Sequence, residues 1–186
     1  NVSAGTLKAV STAGSVTAEM LTATAGDANV TAKNDVTIGT LNAENGSTAI
    51  EATEGALNVT TLQVKNHAKL TSGKAMTLGT ANASSVTAKA GTTLQVKQKL
   101  QAADKADLTS GSDMILEEAQ ADSVLVNAGG KLIAKTLGVA GSADLTSRDA
   151  MELLDATVGS ITAKAGTTLQ VKQKLQAADK ADLTSG

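Results

Sequence analysis

One stretch of this chain occurs twice without a single change. The segment from Thr87 to Gly111, TAKAGTTLQVKQKLQAADKADLTSG, recurs in full from Thr162 to Gly186. The phrase LTSG or a near relative begins at Leu70, Leu108, Leu145 and Leu183, at almost equal spacings. A regular period of this size is typical of stacked arrays, in which each unit buries its apolar face only against its neighbours. The repeat therefore constrains the architecture of the chain far more than it constrains any activity.

Composition limits how the core of such an array is built. The 186-residue chain contains no Phe, Tyr, Trp, Pro or Cys. Without aromatic side chains, the core must consist of thin layers of Leu, Val, Ile, Met and Ala, and without Cys there are no disulfides or thiolate metal sites. The net charge of −2 provides no strong field for nucleic acid or anionic lipid. No apolar run approaches the ~18 residues that span a bilayer, so we expect neither a nucleic-acid partner nor a membrane span.

Apolar anchors within each repeat follow a regular spacing. Leu70, Leu78, Val86 and Leu94 are eight residues apart, and Leu108 follows fourteen residues after Leu94. Around each anchor, apolar and polar residues alternate with a period of two, which indicates β-strands. Between Leu94 and Leu108 the alternation fails at Gln98 and at Asp104, where we place corners. The pattern predicts rungs made of three short strands.

Each repeat unit then divides into two rungs of about 19 residues with three sides. We expect one β-helical region over residues 1–186, with units at roughly 30–69, 70–107, 108–144 and 145–182. Side one contains Leu70, Val86–Ala88, Leu108, Val124–Val126, Leu145 and Ile161–Ala163. Side two contains Met76–Leu78, Leu94–Val96, Met114–Leu116, Leu132–Ala134, Met151–Leu153 and Leu169–Val171. Side three contains Ala81–Ala83, Leu100–Ala102, Ala119–Ala121, Leu137–Val139 and Ala156–Val158. The regular spacing of apolar anchors can be followed back to Val30 and is less clear before this residue.

A helix over KQKLQAADKADL is the main alternative, because these residues are good helix formers. On a helix, Leu100 would share its face with Asp104, Asp107 and Leu108, which makes a poor apolar stripe. The alternating interpretation buries every apolar position and is favoured. The chain is therefore predicted to be an all-β, three-sided parallel β-helix. About ten rungs at a strand spacing of 4.7–4.9 Å would form a rod with open strand edges at both ends.

With rungs of about 19 residues and the phrases AGTTLQV, ADLTSGSDM and NAGGKL, the chain resembles the central repeats of the filamentous haemagglutinin family. These are large bacterial exoproteins of the two-partner secretion type. The resemblance covers essentially the whole chain. It implies a right-handed parallel β-helix within a long secreted or cell-surface fibre. It also implies export by an outer-membrane secretion partner and a role in adhesion to host-cell glycans or receptors. The Asn-Pro motifs of the family's secretion domain and an Arg-Gly-Asp motif are absent, so no family binding residue transfers to a position here.

Catalytic and metal-binding constellations are poorly supported, and we expect no enzyme activity and no cofactor. The single His, His67, is interpreted as a solvated turn residue. The acidic pair Glu117-Glu118 falls at a predicted corner, where solvation is a simpler explanation than a general acid/base dyad. Gly129-Gly130 is followed by Lys-Leu, which breaks the calcium-binding Gly-Gly-x-Gly-x-Asp pattern, and it more simply provides a corner.

Threonine is frequent on the predicted outer face of side one. The sequence places a single Thr column there, made of Thr71, Thr87, Thr109, Thr146, Thr162 and Thr184. The neighbouring outward column is predicted to contain Lys69, Ser85, Asp107, Asp144 and Ser160. An ice-binding surface needs two aligned Thr columns, so the strand propensity of Thr on a solvent face is the favoured explanation.

Basic residues gather at the predicted corner between sides two and three on alternate rungs. The candidate contacts for a sulfated glycan are Lys97, Lys99, Lys135, Lys172 and Lys174, with Lys65 placed at the same corner. The acids Glu117, Glu118, Glu152 and Asp155 are predicted to occupy this corner on the intervening rungs. Neutralisation between stacked rungs, worth little per exposed pair, is favoured over a glycan site. The leading functional hypothesis is a structural and adhesive shaft, and a carbohydrate-binding module that uses these lysines is the alternative.

Overall fold

The computed structural model describes all 186 residues, and every regular element in it is a β-strand. The fifteen strands are β1 (Val2–Ala4), β2 (Leu7–Ser11), β3 (Val16–Ala23), β4 (Ala28–Ala32), β5 (Val36–Ala43), β6 (Thr48–Ala52), β7 (Leu57–Val64), β8 (His67–Ser72), β9 (Met76–Ala90), β10 (Leu94–Ser110), β11 (Met114–Ala121), β12 (Ser123–Ala128), β13 (Leu132–Ser147), β14 (Met151–Ala165) and β15 (Leu169–Ser185). The longer strands continue round corners of the coil, so one strand supplies two or three sides of a rung.

All strand pairs are parallel and belong to one continuous sheet that coils through about ten turns. The turns differ slightly in length, and the turn from Val36 to its ladder partner Leu57 is longer than the turn from Met76 to its partner Leu94. Parallel strands need a connection between them, and here each connection is the remainder of the turn. The predicted all-β parallel helix with rungs of about 19 residues is confirmed.

The three sides are confirmed column by column. On side two, Met76 pairs with Leu94, which in turn pairs with Met114. Leu132 and Met151 continue the same column. Three of the four Met residues therefore stack at one phase, and their side chains are fully buried. The flexible thioether side chain suits such a column because it fills gaps between the branched residues above and below it.

The predicted corners lie where the strand ladder changes register. The pairing of β9 with β10 shifts between Val96 and Lys99, and again between Ala102 and Lys105. Gln98 and Asp104 fall within these two shifts, so both predicted corners are confirmed. The helical alternative for this segment is wrong, because KQKLQAADKADL lies wholly within β10.

The first rungs obey the same register as the rest of the coil. Val16 pairs with Val36, and Leu7 pairs with Ala28. The pattern is blurred in the sequence because two apolar side chains here point outward. Val10 is 53% exposed and Met20 is 44% exposed. Their neighbours along the ladder, Thr31 and Thr40, are polar in the next rung.

The core is a single apolar column that runs the length of the rod. It contains 51 buried hydrophobic residues in one contiguous cluster. The few buried polar side chains lie near the ends of side one and bond to the backbone. Ser110, for example, donates its hydroxyl to the carbonyl of Ser112 at 2.8 Å. No buried side-chain polar atom lacks a partner, so the column carries no desolvation penalty from unpaired groups.

Candidate functional site

The five candidate lysines lie at the corner between sides two and three, and we call this set the lysine corner. Lys99 follows the side-two segment of β10 and pairs in the ladder with Thr80, while Lys174 occupies the same position in β15 opposite Asp155. Lys97 and Lys172 precede them by two residues, and Lys135 lies at the corresponding bend of β13. The set is therefore distributed over three rungs that are not adjacent to one another.

Lys65 does not belong to the lysine corner, so its predicted placement is wrong. It follows Val64 at the end of side three, and its carbonyl accepts a hydrogen bond from the Ser84 hydroxyl at 2.8 Å. Lys65 therefore lies at the corner between sides three and one. Residues 62–64 form a segment of side three, in which Leu62 pairs with Ala81. The regular spacing of apolar anchors did not predict this segment, and Lys65 was therefore assigned to the wrong corner.

Two members of the lysine corner are neutralised by acids of a neighbouring rung. Lys99 Nζ lies 3.1 Å from Glu118 Oε1, and Lys135 Nζ lies 2.8 Å from Glu117 Oε1. All four side chains remain partly exposed, so each pair contributes at most about 1 kcal/mol to stability. The predicted pairing of charges between stacked rungs is confirmed for these two lysines. The acidic pair Glu117-Glu118 is engaged with lysines at this corner.

Glu152 lies on side two between Met151 and Leu153, as the side-two assignment predicts, and its placement among the acids of the lysine corner is wrong. It occupies the middle of side two, between Ile133 and Gln170 in the ladder. Its carboxylate accepts a hydrogen bond from Lys131 Nζ at 2.9 Å. This bond holds the pKa of Glu152 below its ordinary value, and the charge of Lys172 acts in the same direction. The Lys131–Glu152 pair therefore stabilises the folded chain at pH values above the ordinary pKa of a carboxyl group. This stabilisation is lost as the pH falls through the lowered pKa of Glu152.

The remaining positive charge at the lysine corner is divided between two places. Lys97, Lys172 and Lys174 form no ion pair with a carboxylate. Lys97 is in β10, whereas Lys172 and Lys174 are in β15, four rungs further along the rod. At a strand spacing of 4.7–4.9 Å, the two places are about 19 Å apart. The unpaired charge of the lysine corner is therefore one lysine at one place and two at the other, with a neutralised stretch between them.

The outer face of side one carries two mixed columns, so the prediction of a single Thr column is wrong. The first column contains Lys69, Thr87, Asp107, Leu125, Asp144, Thr162 and Asp182. The second contains Thr71, Lys89, Thr109, Asn127, Thr146, Lys164 and Thr184. Ser85 and Ser160 lie at the adjoining corner, where they pair with His67 and Ser142. Threonine occupies only two of the seven positions in the first column and alternates with lysine or asparagine in the second, so neither column forms a continuous Thr surface.

His67 begins strand β8 and is partly buried, so its interpretation as a solvated turn residue is wrong. Its Nδ1 lies 2.8 Å from the hydroxyl of Ser85 in the next rung. His67 forms no ion pair with a carboxylate that could orient the ring. A Ser–His pair without such a third group lacks the arrangement that activates a nucleophile. The contact links two rungs at the corner between sides three and one.

The potential metal-ligating side chains of the chain are dispersed. No group of three or more His, Asp or Glu side chains lies close enough together to hold an ion. Gly129 and Gly130 form the turn between β12 and β13, in agreement with their predicted corner role. The Gly129 amide donates to the carbonyl of Ser110 at 2.9 Å, which continues the backbone ladder through the turn.

Side three presents a column of amide side chains that the sequence analysis did not single out. On five successive rungs, the outward residue of this side is Asn42, Gln63, Asn82, Gln101 and Gln120. Shallow grooves run beside the column, along the corner between sides three and one. The sequence did contain a signal for this column. The middle residue of a side-three triplet is its outward position, and it is Asn or Gln in several successive triplets.

Comparison with known proteins did not identify a relative of this chain. No protein-family model matches the chain, and neither a curated protein nor a solved structure shows significant similarity to it. The structure contains no apolar helix of membrane-spanning length.

Proposed function

We propose that this chain is a structural and adhesive shaft segment of a secreted bacterial surface fibre, which presents adhesion sites to host cells. The observation that carries the proposal is the uninterrupted stack of about ten rungs around one filled apolar column. Such an array gains length by adding similar units, and each unit is stabilised mainly by its neighbours. The resemblance of AGTTLQV and ADLTSGSDM to filamentous haemagglutinin repeats supports the cell-surface location and an outer-membrane secretion partner.

The distribution of side chains on the surface also favours a shaft. The grooves beside the amide column are shallow, and the lysine corner is interrupted by the Lys99–Glu118 and Lys135–Glu117 pairs. A carbohydrate-binding module that uses the lysine corner remains the alternative, because Lys97, Lys172 and Lys174 are not paired with acids.

A heparin column separates the shaft from the glycan-binding module. We expect the unaltered chain to elute below physiological salt, because its net charge is −2 and acids pair with Lys99 and Lys135 of the lysine corner. The variant with Lys97, Lys99, Lys172 and Lys174 replaced by Gln should elute at nearly the same salt concentration. Exposed charges are screened over about 8 Å at physiological ionic strength, so any weak retention should fall steeply with salt.

The informative contrary result is retention well above physiological salt that disappears in the four-site variant. That result would make the lysine corner a glycan-binding site. A control with Lys33, Lys69, Lys89 and Lys164 replaced by Gln has the same change in net charge and leaves the lysine corner intact. Equal loss of retention in the control would indicate a general charge effect and would argue against a defined site.

A further inference from the structure

The amide column of side three continues into a glycine, so six successive rungs carry no charge at this position. In rung order, the outward residues are Asn42, Gln63, Asn82, Gln101, Gln120 and Gly138. Except for Asn42, whose side-chain amide donates to Glu44 at 3.3 Å, the amide side chains of the column form no hydrogen bond within the chain. Both outward columns of side one, by contrast, contain lysines. Side three is therefore an uncharged face whose polar groups are available to a partner.

The spacing and chemistry of the amide column identify the kind of partner that it fits. Each side-chain amide carries both donor hydrogens and an acceptor oxygen, so one amide can bond to another. These amides recur along the rod at the strand spacing of about 4.7–4.9 Å. A partner that matches this spacing over several rungs is another stack of β-strands, and aligned Asn and Gln side chains stabilise contacts between stacked sheets. A second copy of this chain meets both requirements.

Charged residues next to the amide column define how a second copy would be placed. The residue that follows each side-three triplet lies at the corner between sides three and one, and we call these residues the corner column. In rung order they are Glu44, Lys65, Ser84, Ala103, Asp122 and Ala140. Lys65 and Asp122 are exposed, and neither forms an ion pair. They lie three rungs apart, at equal distances from the midpoint between Asn82 and Gln101.

A two-fold axis through that midpoint, perpendicular to the rod, would bring the opposite charges together. The axis places the second copy antiparallel to the first and reverses the order of its rungs. Lys65 of each copy would then face Asp122 of the other, so the contact would contain this pair twice. In the amide column, Asn82 would face Gln101 of the second copy, Gln63 would face Gln120, and Asn42 would face Gly138.

No like charges would meet at either edge of side three. Glu44, the other charged residue of the corner column, would face an alanine. At the opposite edge of side three, the Lys99–Glu118 pair would face two threonines and would stay intact. A shift of one rung in either direction would separate Lys65 from Asp122, and in one direction it would place Asp122 opposite Glu44. Charge therefore selects one register.

We propose that side three binds a second copy of this chain, antiparallel to the first and in the register set by the two Lys65–Asp122 pairs. The contact joins two rods side by side, with amide side chains hydrogen-bonded across it and with the opposite charges at its margin. A small contact between polar faces is weak and reversible, and a dissociation constant between about 10 μM and 1 mM is expected.

Sedimentation equilibrium of the full chain at low salt tests the contact. The unaltered chain should dimerise as its concentration is raised to about 1 mM. Lys65→Asp should raise the dissociation constant at least about tenfold, because it places two carboxylates opposite each other at both pairs. Asp122→Lys should weaken the dimer to a similar degree. The two changes combined in one chain should restore the dissociation constant to within about threefold of the unaltered value.

The control is Lys69→Asp, which makes the same change in charge on side one and should leave the dissociation constant unchanged. The proposal is overturned if the unaltered chain stays monomeric at about 1 mM. It is also overturned if the single variants dimerise as well as the unaltered chain, or if the combined variant dimerises no better than they do. A loss in Lys69→Asp equal to that in Lys65→Asp would overturn it as well.

A single spin label on each copy checks the antiparallel orientation. Gln95 and Gln170 lie in the outward column of side two, four rungs apart and away from the contact. About the proposed axis, labels at Gln95→Cys would be offset along the rod by no more than about 5 Å, and labels at Gln170→Cys by about 40 Å. The distance between the two Gln170→Cys labels of a dimer should therefore be clearly the longer. Equal distances in the two variants would indicate parallel rods and would overturn the proposal.

Discussion

Replacement of Leu116 by Asp is expected to destabilise the chain by more than about 4 kcal/mol. Leu116 is fully buried in β11, where it stacks between Val96 and Ala134 in the side-two column. The substitution removes apolar contacts with two rungs and places a carboxylate in a column without a basic partner. Burial of an isolated charge is among the costliest changes that a protein core can undergo.

The matched control is Ile115→Asp, one residue earlier in the same strand. Ile115 points outward and is only partly buried, between Gln95 and Ile133 in the ladder. Loss of its cross-strand contact should cost no more than about 1 kcal/mol. Urea unfolding curves of both variants measure the difference. Equal losses of stability at the two positions would contradict the three-sided assignment.

Gly46→Ala is expected to destabilise the chain by about 1–3 kcal/mol through backbone crowding. Gly46 lies in the turn between β5 and β6, and no glycine in the chain has a positive φ angle. Glycine is therefore required at this position because there is no space for a side chain. An added Cβ would collide with the carbonyl group of Gly26 and would lie 2.7 Å from the Asp27 amide nitrogen. These are backbone atoms of the preceding rung, which cannot move without disturbing the stack.

Gly138→Ala is the control for the effect of removing a glycine. A Cβ at Gly138 would meet only the Cγ of Gln120, at an ordinary contact distance of 3.5 Å. A neutral result or a gain of about 0.4–1 kcal/mol is expected there, because alanine restricts the unfolded chain. Thermal unfolding of the two variants decides the matter. A loss of stability at Gly138 equal to that at Gly46 would indicate that both positions need glycine for another reason.

The inward positions could be predicted from the sequence because burial constrains them. A polar residue in the column would lose its hydration without gaining a partner, so Leu, Val, Ile, Met or Ala recurs at nearly every such position. Met76, Met114 and Met151 mark one column, and Leu70, Leu108 and Leu145 recur on side one. The corners at Gln98 and Asp104 were also predictable, since an interruption of the alternation is a direct sign of a bend.

The outward positions could not be predicted to the same degree, because solvent accepts many side chains. On side one, the predicted Thr column combined residues of two different outward columns. Thr87 lies in the column of Lys69, whereas Thr71 lies in the column of Lys89.

Lys65 was misplaced because the side-three segment at residues 62–64 was overlooked. Glu152 was misplaced because an outward residue of side two was counted among the acids of the corner. Cross-rung partners depend on the length of each individual turn, and that length differs between the turn from Met76 to Leu94 and the turn from Val36 to Leu57. An average rung length does not determine which charges meet.

Distances between spin labels along one outward column test the central claim that each turn adds one strand spacing to a straight rod. The chain has no cysteine, so a double-cysteine variant is labelled at two sites only. Thr22, Gln101 and Gln176 lie in the outward column of side three, with Gln101 four rungs and Gln176 eight rungs from Thr22. At 4.7–4.9 Å per rung, labels at Thr22→Cys and Gln101→Cys should be separated by about 19 Å. Labels at Thr22→Cys and Gln176→Cys should be separated by about 38 Å. A second distance close to twice the first is the predicted result, and two similar or broadly distributed distances would contradict the stacked rod.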